Sequence, residues 1–265
     1  PLSLTDALPI FGRLFSENQQ MIIIMYLSDF FWFLRKYFLS VEIEYPNEFL
    51  KNWSFIRKSS SQDKERNFTV YQMIKMHNQI FKNKKTSVIE FGVDRGGTLT
   101  TICKFVKNDT EVFALDSFGF YADDIKNNVT KYYSHYLGKY KPFTKKTRFK
   151  EFNYLSLEKQ LNQDLIEKSS KLDIIKCYFP DQIDEKYLGK INSRKYSFVH
   201  IDFDLYKPTI EAIKFITPRL ENYAKILFDD YNLINQEGVK CAVKDSKINI
   251  NKCIQTQSGQ LICYT

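Results

Sequence analysis

Two pairs of aspartates, each placed straight after an apolar run, are the residues of this chain best suited to chemistry. The first pair, Asp202 and Asp204, ends the run YSFVHI in Tyr196–Tyr206; the second, Asp229 and Asp230, follows Ile226-Leu227-Phe228. Short apolar runs of this kind read as buried strands. Two strands of one sheet that both end in acids would gather their carboxylates around one point. Like charges brought together repel unless a proton or a cation joins them. Three or four carboxylates in one place suit a hard divalent cation, Mg²⁺ first. The competing reading of each aspartate alone is a helix N-cap or turn former, and two pairs after two strands make that the weaker account.

A second constellation precedes the acids. The run Ser87–Phe91 leads into Gly92-Val93-Asp94-Arg95-Gly96-Gly97-Thr98, and a second run ends in Asp116-Ser117 (VFALDS). Glycines at a strand's carboxyl end let a ligand lie against the backbone, and the helix that follows offers unpaired N–H groups. An acid at the end of the next strand can take both hydroxyls of a ribose. The spacing is not the dinucleotide G-x-G-x-x-G. The strand-end Glu90 and the G-x-x-x-G-G pattern are similar instead to motif I of S-adenosylmethionine-dependent methyltransferases.

Elements must hold these residues. Apolar runs at Ser87–Phe91, Glu111–Leu115, Asp173–Cys177, Ser197–Ile201 and Lys225–Phe228 alternate with helical stretches at Thr98–Val106, Ser156–Glu167 and Pro208–Leu220. This alternation predicts an α/β fold, a mainly parallel sheet with helices on both faces. Thr69–Phe81 also has helical spacing. Lys252–Tyr264 reads as two short strands around Ser258-Gly259, a closing hairpin. Ligands of such sheets bind outside the carboxyl ends of the strands, where the glycine turn and all four aspartates are expected.

In order and spacing, EFGVDRGGT, ALDSFGF, HIDFDLYKPTIEAI, LFDDYN and GVKCAV resemble the macrocin O-methyltransferase (TylF-like) family over about residues 65–265. The resemblance implies a Rossmann-like class I methyltransferase fold with a seven-stranded sheet. It implies Mg²⁺ at Asp202, Asp229 and Asp230, with Asp204 as the catalytic base. Glu90, Gly92, Gly96, Thr98, Asp116 and Ser117 would line the S-adenosylmethionine site, and Tyr178 would flank the adenine. The implied activity is metal-dependent O-methylation of a sugar hydroxyl, free, glycosidic or on a nucleotide diphosphate. The chain departs from the family at Lys207 and Pro208, where an acid and a serine are usual, and at His200, where an arginine is common. Other readings are a glycosyltransferase using Asp202-Phe203-Asp204 as an Asp-x-Asp metal motif, a methyltransferase for a non-sugar small molecule, and a nucleic-acid methyltransferase. The last usually carries an [Asp/Asn]-Pro-Pro-aromatic motif, where this chain has Asp-Phe-Asp-Leu.

Composition sets the remaining bounds. The 265 residues carry 39 Lys and Arg against 31 Asp and Glu, a net charge of +8. That balance excludes an acidic disordered chain, a collagen and a small disulfide scaffold. The excess has an address: Lys126–Lys150 holds eight basic residues, no Asp or Glu, and Tyr132, Tyr133, Tyr136 and Tyr140. Such a segment is either a solvated loop or a lid whose tyrosines stack on a sugar and whose lysines meet a phosphate. His135 within it reads as a solvated histidine before a second base. The expected organisation is a helical N-terminal extension over 1–65 and a methyltransferase domain over 66–265 with an insertion at 119–155. The apolar stretch Met21–Leu34 is too short to span a bilayer and reads as a buried helix at a self-association surface, in a dimer or tetramer. Five separated cysteines without a CxxC pair read as reduced thiols. A cytoplasmic enzyme with a small-molecule acceptor, without nucleic acid or membrane, is the overall expectation.

Overall fold

The computed structural model describes residues 43–60, 62–118, 153–232, 237–246, 248–249 and 252–265. The Met21–Leu34 stretch, the basic segment 126–150 and His135 lie outside them. The chain divides into two units, Pro1–Pro46 and Asn47–Thr265, and the sheet belongs to the second.

Helices α1 (Asn47–Ser59) and α2 (Lys64–Ile80) come first in that unit. Asp63 starts α2 by accepting the Arg66 N–H at 2.9 Å, a side-chain N-cap. Strand β1 (Thr86–Phe91) passes through the glycine turn into α3 (Gly97–Phe105), and β2 (Thr110–Asp116) follows. Next come α4 (Tyr154–Ile166), β3 (Lys171–Lys176), α5 (Glu185–Asn192) and β4 (Tyr196–Ile201). The chain then runs through α6 (Tyr206–Ile216), β5 (Leu220–Phe228), α7 (Glu237–Asp245), β6 (Cys253–Gln255) and β7 (Leu261–Tyr264). Pro208 falls in the first turn of α6, where a missing N–H breaks no helical bond.

The sheet order is β3-β2-β1-β4-β5-β7-β6. The first five strands are parallel and β7 runs antiparallel between β5 and β6. Strands β1 and β4 are buried along their whole length, as expected of central parallel strands covered on both faces. Chain order reverses between β1 and β4, the switch point at which open α/β sheets bind ligands. One core runs through the sheet, with Phe91, Phe113, Tyr196, Phe198 and Phe228 fully buried.

Helix α1, expected within the N-terminal extension, packs on α2 and α3. Its buried Phe49 lies 5.2 Å from Phe68 and 5.3 Å from Tyr71 by ring centroids, and Tyr71 meets Phe105 edge-on at 4.7 Å. Ser60 and Gln62, between α1 and α2, are thereby held close to the start of α3. At the other end of α3, Lys168 Nζ donates to the carbonyls of Cys103, Lys104 and Val106, filling acceptors that a helix end leaves open.

The expectation of five reduced thiols is corrected at the closing hairpin. Cys253 and Cys263 are direct cross-strand partners, with Cα atoms 4.2 Å apart, and form a disulfide. Their separation in the sequence is no guide, because the Ser258-Gly259 turn folds β6 back on β7. Cys103, Cys177 and Cys241 are free thiols.

Candidate active site

The carboxyl ends of β1, β4 and β5 converge. Parallel register puts Glu90 beside His200 and Phe91 beside Ile201, and Ile201 beside Phe228. The residues that follow these strands are therefore neighbours: Gly92 after β1, Asp202 and Asp204 after β4, Asp229 and Asp230 after β5. Backbone bonds tie the three ends together, from the Asp202 N–H to Phe91 O at 2.7 Å and from the Asp229 N–H to Ile201 O at 3.0 Å.

The glycines serve the protein's own packing. Gly92 has φ +89° and Gly96 φ +82°, a region natural to glycine. A Cβ on Gly92 would fall 2.0 Å from the Asp202 carbonyl oxygen. One on Gly96 would meet Leu157, and one on Gly97 would meet Ser60. The sequence pattern assigns these glycines to a ligand's approach; in the fold they let the turn close against the exit of β4, α4 and Ser60.

Asp116 braces the same turn. Its Oδ2 accepts the Val93 N–H at 2.6 Å and the Asp94 N–H at 3.0 Å, and its Oδ1 accepts the Phe118 N–H at 2.6 Å. A carboxylate has about four lone-pair sites, so three backbone bonds leave it one for a ribose hydroxyl. Burial pushes this carboxyl above its ordinary range despite those bonds. Ser117 follows it, and Tyr178 lies just past β3, whose last residue Lys176 pairs with Asp116. Thr98, in the first turn of α3, donates its hydroxyl to Gln62 Oε1 at 3.0 Å.

Oxygen atoms of Asp202, Asp204 and Asp230 lie within 4.8 Å of one another. Asp204 has φ +59°, a strained conformation of the kind concentrated at functional sites. Burial, then the charges and contacts of Asp229 and Asp230, push Asp202 and Asp204 well above the ordinary carboxylate range. A set of hard oxygen donors that repel one another fits a divalent cation such as Mg²⁺.

Asp229 is in a different state. Its Oδ1 accepts Gln260 Nε2 at 2.6 Å, and its Oδ2 accepts Arg66 Nη1 at 2.7 Å and Gln62 Nε2 at 2.9 Å. His200 Nε2 stands 4.0 Å from Asp229 while His200 Nδ1 contacts Glu90 Oε1 at 3.0 Å. Burial would raise Asp229, but His200, Arg66 and Gln260 hold it below the ordinary range. Burial would likewise depress His200, yet Asp229 and Glu90 push it up to about 10. His200 thus sits between the end of β1 and the acid cluster.

Of the residues expected from sequence to hold the cation, the structure groups Asp202 and Asp230 with Asp204, and ties Asp229 to side chains. Three of those side chains, Gln62, Arg66 and Gln260, stand outside every motif of the sequence. Arg66 Nη1 also donates to Asp230 Oδ1 at 3.0 Å, and Gln62 Nε2 to Asp202 Oδ2 at 2.8 Å.

No protein-family model and no curated protein sequence matches the chain. Solved structures do. The chain is similar to the O-methyltransferase NovP, with a TM-score of 0.53 and 18% identity over 78% of this chain and 81% of that one. It is similar to CalS11, a calicheamicin methyltransferase, with a TM-score of 0.51 and 14% identity over 84% and 94% of the two chains. An apo structure of CalS11, a TDP-rhamnose 3'-O-methyltransferase, gives a TM-score of 0.50 and 12% identity over 84% and 96%. The chain has a Rossmann-like class I methyltransferase fold. In that frame the glycine turn follows the first strand of the sheet, and the acid pairs follow the fourth and fifth.

Proposed function

We propose that the protein is an S-adenosylmethionine-dependent O-methyltransferase that uses a divalent cation, Mg²⁺ by preference, and takes a sugar hydroxyl as acceptor. The observation that carries the reading is the shared wall between its two halves. Gly92, in the turn that would bind the methyl donor, lies against the backbone of Asp202, in the acid cluster. A donor on the turn and an acceptor at the acids are then held side by side, and proximity supplies much of the rate when the methyl is already activated.

Asp202 and Asp230 would hold the cation, with Asp229 joining them once its present partners yield. When bound, the cation supplies Lewis-acid activation of the acceptor hydroxyl. Asp204, in the same oxygen group and with its carboxyl raised by burial, takes the hydroxyl proton. Glu90, Gly92, Gly96, Thr98, Asp116 and Ser117 form the donor side, with Tyr178 toward the adenine. The sugar acceptor is supported by the activity of CalS11 and by the basic, tyrosine-rich segment 126–150, whose lysines suit a nucleotide diphosphate. The glycosyltransferase reading of Asp202-Phe203-Asp204 loses ground, because these acids stand on a methyltransferase fold beside a glycine turn.

The test is transfer from methyl-labelled S-adenosylmethionine to a panel of nucleotide-sugars and glycosides, with Mg²⁺ or EDTA. Label should reach at least one sugar in Mg²⁺ and none in EDTA. Thermal stabilisation by a nucleotide-sugar but not by S-adenosylhomocysteine would overturn the donor assignment.

A further inference from the structure

The acid cluster carries its own positive charge. Arg66 Nη1 bridges Asp229 and Asp230 at 2.7 and 3.0 Å, with the Arg66 side chain only 13% exposed. Gln62 Nε2 bridges Asp202 and Asp229 at 2.8 and 2.9 Å. Between them, one guanidinium nitrogen and one amide nitrogen touch all three acids expected to ligate the cation. Both donors come from the short stretch that leaves α1 and opens α2, and both meet lone pairs that a cation would need. A buried acid cluster left unpaired is costly, so a positive group placed there stabilises the cation-free chain. The same group repels an arriving cation and must be moved or outbid before Asp229 can ligate.

We propose that Arg66, aided by Gln62, is the chain's internal stand-in for the divalent cation, competing with it for Asp229 and Asp230 and so setting the affinity of the site. The proposal rests on the reading of these acids as a cation site. Gln62 adds a link to the donor side, since the amide that donates to the acids also accepts from Thr98 at the start of α3. Cation arrival that frees Gln62 from the acids is thereby felt at the glycine turn.

The test is Mn²⁺ binding to the full chain, read from the electron paramagnetic resonance of the free ion, for wild type, Arg66→Gln and Gln62→Leu. Removing a unit charge a few ångströms from a doubly charged ion should tighten binding by about tenfold or more in Arg66→Gln. Gln62→Leu, which removes the amide bonds to Asp202 and Asp229, should tighten it by about threefold, the worth of a modest hydrogen bond. Tightening in either folded variant supports the competition. Wild-type binding that is unchanged or weaker in the folded variants overturns it and leaves the cation reading standing. No Mn²⁺ binding by any of the three chains overturns the cation reading and this inference with it.

Discussion

The Cα of Gly92 sits so close to Asp202 that a Cβ built on it would lie 2.0 Å from the Asp202 carbonyl oxygen and 2.6 Å from its carbonyl carbon. These are backbone atoms of β4's exit, tied to β1 by the Asp202 N–H bond to Phe91 O, so they cannot step aside cheaply. A methyl group at Gly92 would also be held at φ +89°, disfavoured for any residue with a side chain. Gly92→Ala should therefore cost about 3 kcal/mol or more and weaken S-adenosylhomocysteine binding. Gly189, inside α5 with nothing within 4 Å of its Cβ position, is the control. Gly189→Ala should stabilise by about 0.5–1 kcal/mol. Urea unfolding of both variants checks the pair, and equal effects at the two positions would defeat the argument.

Asp204→Asn keeps the shape of the side chain and removes the proposed proton acceptor. Turnover should fall by about a thousandfold, within the range given to general bases, while affinity for S-adenosylhomocysteine by calorimetry stays within about twofold. The cluster now holds one like charge fewer, and Asp204 is raised by burial and by Asp230 and Asp229. The cation-free chain should thus melt at a higher temperature as the Asn variant, the usual opposition between stability and a strained site. Activity within tenfold of wild type would remove Asp204 from the mechanism.

The four aspartates were legible because each follows an apolar strand, and a parallel sheet brings strand ends together whatever lies between them. The same logic placed Gly92 and Asp116. The partners of Asp229 had no such signal. Gln62 and Arg66 reach it across sequence separations of 167 and 163, and Gln260 across 31. A glutamine in a loop or an arginine in a first helical turn looks the same whether it faces solvent or a buried acid. Their placement comes from tertiary packing: α1 and α2 pack on α3 with Ser60 against Gly97, and the hairpin carries Gln260 to the end of β5. The disulfide escaped for a related reason, because cross-strand register depends on where the turn falls.

The Cys253–Cys263 bond closes a hairpin that delivers Gln260 to Asp229. Alkylation of the denatured, unreduced chain should modify Cys103, Cys177 and Cys241 and spare the other two. Cys253→Ser with Cys263→Ser should lose about 2–3 kcal/mol, the chain-entropy expectation for a loop of this size. It should also loosen the Gln260 bond to Asp229 and so, by freeing a lone pair of that acid, lower the cation concentration the reaction requires. Five reactive thiols in the unreduced chain would refute the pairing.

His77 gives the fold a pH dependence of its own. It is buried in α2 at 1% exposure, its ring tilted against Phe81 at 5.4 Å between centroids, and neither ring nitrogen has a hydrogen-bond partner among the described residues. Burial, then the positive charges of Lys107 and Lys225, lower it from 6.5 to about 3. In the unfolded chain the imidazole takes its proton near pH 6.5, while in the folded chain it stays neutral far below that. The unfolded state therefore binds more protons as pH falls, and stability drops through the window from about 6.5 toward 3. At pH 5 the loss from this group alone is about 2 kcal/mol relative to pH 8. His77→Phe keeps a ring against Phe81 and removes the titration. Urea unfolding at pH 8 and pH 5 on both chains isolates the term, since other titrating groups cancel in the comparison. The variant should lose about 2 kcal/mol less than wild type on acidification; parallel losses in the two chains would show that the folded protein protonates His77 as readily as the unfolded one.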